Sequence, residues 1–133
     1  MIYALDSNIV SYMLKEDADV IAHYRQAFDG GANFVIPPIV FYEIQRGLLA
    51  KNLKKRLSKF SALCQKIGQV DFNSLVWEKA ARIYASLSQQ GKPIDDADIF
   101  IAAFCLVNGY TLVTNNVRHF EHIGELKLMN WKQ

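Results

Sequence analysis

The stretch Ile2-Tyr3-Ala4-Leu5-Asp6-Ser7-Asn8 decides how the chain is built. Four apolar residues without helical spacing are followed at once by three residues that favour turns and helix N-caps, so the run reads as a buried strand entering a helix. Helical spacing follows over Ile9 to Lys15 and Asp19 to Phe28, until Gly30-Gly31 breaks the chain ahead of a second apolar strand, Phe34-Val35-Ile36. Pro37-Pro38 stops that strand, and helical patterns resume from Ile39 to Leu49 and from Asn52 to about Ile67. Val70-Asp71-Phe72 is expected as a weak third strand, and Leu75, Ala80, Ile83, Tyr84 and Leu87 mark a long amphipathic helix ending at Gly91. Another helix runs from near Asp95 to about Asn108, where Gly109 ends it. A buried strand over Thr111 to Thr114 and a last short strand over Lys127 to Met129 complete the pattern.

Short apolar strands alternating with helices predict an α/β fold around a mostly parallel sheet, because parallel strands need crossover connections usually made by helices. In such sheets ligands bind beyond the carboxyl ends of the strands, and both Asp6 and Asn115-Asn116 follow strand ends. At 133 residues the chain suits one domain, and 51% hydrophobic with 21% charged residues is the composition of a folded protein. No apolar stretch approaches the roughly 20 residues that cross a bilayer, and no secretory leader pattern opens the chain, so a cytoplasmic protein is expected. A net charge of +2 neither announces nor excludes a nucleic-acid partner. Cys64 and Cys105 have no metal or redox spacing and are expected as reduced core residues. The chain contains neither a Gly-rich phosphate loop nor a Gly-x-Ser-x-Gly elbow, which removes kinase, dinucleotide and hydrolase-triad chemistry.

Three carboxylates then carry the chemistry. Asp98, Ile101, Ala102 and Cys105 share one helical face, so Asp98 heads a buried stripe; it is either a charge serving the helix dipole or a group aimed into the sheet edge. Glu43 lies among Ile39, Val40, Ile44 and Leu48, and either pairs with Arg46 or faces a site. Asp6 either accepts hydrogen bonds in the turn after the first strand or joins the same site. Converging at one sheet edge, the three would repel one another unless protonated or neutralised. A divalent cation is the economical answer, and all-oxygen ligation selects a hard ion, Mg²⁺ or Mn²⁺, of the kind used to hydrolyse phosphodiesters.

Asp6-Ser7-Asn8, Glu43 within Tyr42-Glu43-Ile44-Gln45-Arg46-Gly47, the run Pro93-Ile94-Asp95-Asp96-Ala97-Asp98-Ile99-Phe100-Ile101-Ala102-Ala103, and Thr114-Asn115-Asn116 closely resemble the PIN-domain nucleases. The tail Arg118-His119-Phe120-Glu121-His122-Ile123, closing with Leu128-Met129-Asn130-Trp131, resembles in particular the VapC toxins of bacterial toxin–antitoxin pairs. That resemblance implies one PIN domain over residues 1–133, a three-layer α/β/α fold, and a metal held by Asp6, Glu43 and Asp98, with Ser7 as a hydroxyl near it. Many relatives carry a fourth acid where this chain has Asn116, an amide expected to weaken any second metal site while still able to order a water or coordinate through its carbonyl oxygen. The implied function is a Mg²⁺- or Mn²⁺-dependent endoribonuclease toxin whose substrate is RNA, initiator transfer RNA in enteric relatives. The implied partners are a VapB-type antitoxin and a second copy of the chain. The rival reading, encouraged by Asn116, is a catalytically weak PIN-like module that binds RNA or protein.

The dense basic run Lys51, Lys54, Lys55, Arg56 and Lys59 is either a solvated helix face or a phosphate contact. Asp95 is expected to cap its helix, and His119 and His122 are expected at the surface or behind the site, with no ligand role.

Overall fold

The computed structural model describes residues 1–68 and 70–132. Its elements follow in the order β1 (Ile2–Leu5), α1 (Ser7–Leu14), α2 (Ala18–Asp29), β2 (Asn33–Val35), α3 (Pro38–Ala50), α4 (Lys54–Ile67), α5 (Ser74–Gln89), α6 (Asp96–Asn108), β3 (Thr111–Val113), α7 (Val117–Phe120) and β4 (Leu128–Met129). The sheet runs β2-β1-β3-β4 and every pairing in it is parallel, with helices flanking it as the alternation of patterns requires. β2 and β3 flank β1 on opposite edges, so the chain leaves β1 in one direction along the sheet and later passes back beyond it to β3. The switch in direction opens a crevice at the carboxyl ends of β1 and β3.

Register decides what meets there. Leu5 pairs with Val113, so Asp6 and Thr114, one step beyond each strand, are neighbours. Ala4, Leu5, Leu112 and Val113 are fully buried, as are Ile9 of α1 and Ile101, Ala102, Phe104 and Cys105 of α6, which makes the floor of the crevice a packed apolar core. On the β2 side, Trp131 is 2% exposed and meets Tyr3, Phe34 and Tyr24 at ring-centroid distances of 6.0, 6.1 and 6.2 Å. Cys105 is buried and Cys64 half-buried against the core. Among the described residues no helix is long and apolar enough to cross a membrane.

Two expectations fail locally. Val70-Asp71-Phe72 forms no strand; these residues lead irregularly into α5, and Phe72 instead packs against Trp77 at 5.4 Å and Phe104 at 5.7 Å, so their apolar character serves helix packing. α4 starts at Lys54 rather than Asn52, because Asn52 adopts a left-handed backbone with φ 54°, which asparagine tolerates better than most residues and which a helix cannot include. The short α7 has no counterpart in the sequence pattern, being a single turn whose only buried residue is Phe120.

Candidate active site

Asp6 sits at the N-cap of α1, 4% exposed, and its two oxygens are both engaged. Oδ1 accepts the Ser7 N–H at 2.8 Å, and Oδ2 accepts the Thr114 hydroxyl at 2.7 Å with Asn8 Nδ2 at 3.4 Å. The turn role expected of Asp6 is present in the Ser7 N–H bond, and its other oxygen ties the end of β1 to Thr114 beyond β3. Thr114 Oγ1 also accepts the Asn116 N–H at 3.0 Å, and Asn8 Oδ1 accepts the Asn115 N–H at 3.0 Å, so the exits of β1 and β3 are stitched together.

Glu43 reaches the same place from α3. Ser7 Oγ donates to its Oε1 at 2.7 Å. The pairing with Arg46 does not form; the Arg46 guanidinium instead lies 4.9 Å from the centre of the Tyr42 ring. Asp98, in the first turn of α6, has Oδ2 at 3.0 Å from His119 Nδ1 of α7. Asp95 occupies the N-cap of α6, but its side chain makes no capping bond, so its carboxylate acts on the site only as nearby charge.

The Asp6 and Asp98 carboxyls are each shifted partly by burial and partly by their acidic neighbours. Burial raises the Asp6 carboxyl above its ordinary range; the Thr114 and Ser7 hydrogen bonds oppose this, while repulsion from Asp98 and Glu43 adds to it. Burial likewise raises Asp98, His119 pulls it back, and Asp95 and Glu43 push it further. Beneath them the Cys105 thiol is raised by burial and by Asp6, which keeps it neutral and out of the chemistry.

Asp6, Glu43 and Asp98 are therefore near enough to repel one another. Among the described residues, however, no three Asp, Glu, His or Cys side chains form a ready coordinating array. An all-oxygen site of this kind fits a hard cation that keeps several waters and touches one or two carboxylates, as Mg²⁺ does. Asn116 is exposed, and it enters the network through its backbone N–H rather than its side chain. Sequence reasoning gave no role to Thr114 or His119. The Leu5–Val113 register would have found Thr114, whereas the contact of His119 with Asp98 depends on a short helix that no periodicity announces.

The PIN domain family model matches residues 3–126. Ribonuclease VapC2 of Rickettsia felis is 30% identical over 98% of both chains. The tRNA(fMet)-specific endonuclease VapC of Shigella flexneri is 27% identical over 97% of each. The crystal structure of VapBC2 from Rickettsia felis, bound to a DNA fragment from its promoter, superposes with a TM-score of 0.90 at 28% identity, covering 98% of this chain and 99% of that one.

Proposed function

The chain belongs to the PIN-domain family, among its VapC ribonucleases, and from that premise we propose that it is the toxin of a toxin–antitoxin pair, a divalent-cation-dependent endoribonuclease acting in the cytoplasm. Its substrate is RNA, with initiator transfer RNA the first to test because a relative is named for it. Its partner is a VapB-type antitoxin, the kind of chain that its solved neighbours carry. A homodimer is the proposed assembly, and Trp77 and Tyr84, half-exposed two turns apart on one face of α5, are apolar surface available to it.

The observation that carries this reading is the set of mutually repelling carboxylates, two of them desolvated, held at the β1/β3 crevice by groups from separate elements. Asp6, Glu43 and Asp98 would hold Mg²⁺ or Mn²⁺. Such an ion, when bound, acidifies a water and offsets charge gathering on phosphoryl oxygens. The chain's own work is positioning. Ser7 engages Glu43 through Oε1, leaving Oε2 its lone pairs for a water or an ion, and His119 leaves Oδ1 of Asp98 in the same condition. Thr114 and the Ser7 N–H fix the plane of the Asp6 carboxylate, so its orientation does not depend on ligand. Substrate would approach from the exposed side, where Asn116 presents an amide.

The test is incubation of the purified chain, free of antitoxin, with labelled RNA including initiator transfer RNA, in Mg²⁺, Mn²⁺ or EDTA. Cleavage that requires the metal is expected. Cleavage persisting in EDTA would reject the metal-dependent site. Failure to cut any RNA would favour the non-cleaving binding module, which the amide at Asn116 supports.

A further inference from the structure

Next to the carboxylates lies a concavity between α1, α3 and α4, and Glu43 forms part of its wall. Lys15, Lys51 and Arg56 line it as well. Lys15 and Lys51 are exposed, Arg56 is half-buried, and among the described residues none of the three makes an ion pair. Lys59, from the same basic run, is different: it points elsewhere and pairs with Glu16 at 3.1 Å.

Helix stability explains only part of this arrangement. Lys15 and Lys51 cap the C-terminal ends of α1 and α3, where the helix dipole favours cations. Arg56 stands with Lys54 and Lys55 in the first turn of α4, where the dipole disfavours them, and that turn has neither an acidic residue nor a side-chain cap. Gly47 adds a second anomaly. It lies inside α3 and lines the concavity, and a Cβ there would meet nothing within 4 Å, so no packing in the chain demands a glycine that weakens its helix. Unpaired cations around an open stretch of backbone leave room for an anion that arrives from outside.

We propose that Lys15, Lys51 and Arg56, set around Gly47 and ending on Glu43, form a phosphate-binding subsite that holds the RNA backbone beside the bond being cut. The proposal rests on the ribonuclease reading, and an RNA is favoured over an acidic protein because Glu43, one of the three carboxylates, forms part of the concavity's wall. A cluster containing Asp6, Glu43 and Asp98 repels a polyanion, and the adjacent cations offset that repulsion where a strand must pass. Such contacts are indifferent to base sequence and sensitive to salt.

Fluorescence anisotropy of a labelled single-stranded RNA oligonucleotide in EDTA, titrated across salt concentrations, tests the subsite without cleavage. For K15Q/K51Q/R56Q the dependence of log affinity on log salt should flatten by about 2, given about 0.7 per phosphate contact on single strands. Affinity near 0.1 M salt should fall about tenfold or more. The charge-matched control K79Q/K92Q/K127Q, none of whose positions lines the concavity, should keep the wild-type slope. K15R/K51R/R56K should also keep it, which separates lost charge from lost folding. G47A should weaken RNA binding while raising the melting temperature. In Mg²⁺ the triple Gln variant should raise KM and leave kcat unchanged. An unchanged slope in that variant, or an equal change in the control, overturns the proposal. So does a loss of binding to poly-glutamate with RNA binding intact, which would assign the surface to an acidic protein. A wild type that binds RNA with the expected slope and cuts none would sink the ribonuclease reading and leave the subsite supported.

Discussion

Asp98 distinguishes a working carboxylate from a helix charge. Its carboxyl is raised by burial and by Asp95 and Glu43, so in the absence of a cation it is a repelled, desolvated group. Asp98→Asn removes that charge while keeping an oxygen to accept from His119. Cleavage should fall by at least about 100-fold, beyond the 10–100-fold typical of losing a group behind a metal ligand, while melting in EDTA should hold or rise. A destabilised but active variant would return Asp98 to the role of a helix-start charge. Thr114 makes a separate case. Its buried hydroxyl donates to Asp6 and accepts from Asn116, so Thr114→Val leaves a buried carboxylate oxygen and an N–H each short of a partner. The cost should be about 1–3 kcal/mol by urea denaturation, and Thr114→Ser should recover most of it. A neutral Val variant would mean that water replaces the hydroxyl.

α6 is the element on which the proposed site depends, since its first turn carries Asp98 and its last must deliver the chain into β3 in the register that places Thr114. Gly109 makes that junction with φ 72°, a left-handed C-cap. A Cβ there would meet nothing within 4 Å, so Gly109→Ala should cost only its backbone strain, roughly 1–2 kcal/mol, with Gly109→Asn costing less. Equal urea midpoints for wild type and Ala variant would show that the junction relaxes out of the left-handed region. Elements of this kind were legible in the sequence because their signals are local: Gly109 stops a helix, and Ile2 to Leu5 run apolar into a cap. Val70-Asp71-Phe72 misled because an apolar triplet looks the same whether it pairs in a sheet or packs on Trp77. Asp6, Glu43 and Asp98 stood out as acids in apolar surroundings, but that Ser7 and not Arg46 would take Glu43 depends on packing α1 against α3. No local pattern encodes that contact.

At the scale of the whole molecule, the end of the chain returns to its beginning. Trp131 fills a box made by Tyr3 of β1, Tyr24 of α2 and Phe34 of β2, and Lys132 Nζ reaches Asp17 at 2.7 Å while lying 5.2 Å from the centre of the Tyr12 ring. The same segment steadies the site, since the Thr114 N–H donates to the Met129 carbonyl at 2.9 Å and Asn130 Nδ2 donates to Asn115 Oδ1 at 3.3 Å. Two kinds of force hold it, and pH separates them. Trp131→Ala should cost about 3–5 kcal/mol, the usual range for a buried tryptophan, at every pH. Lys132→Gln should cost far less, because the pair is solvent-screened. The Lys132 ammonium holds the Asp17 carboxyl below its ordinary range, and Asp17 in turn holds Lys132 above its own. A depressed acid contributes stability above the ordinary carboxylate range and loses it as pH falls through the lowered value. A raised base contributes below the ordinary lysine range and loses it as pH rises through the raised value. The difference in urea midpoint between wild type and Lys132→Gln should therefore be flat from mildly acidic to mildly alkaline pH and vanish at both extremes, with the Trp131→Ala deficit persisting throughout. A Lys132→Gln deficit that survives in acid would mean that its side chain works by packing on Tyr12 rather than by its bond to Asp17.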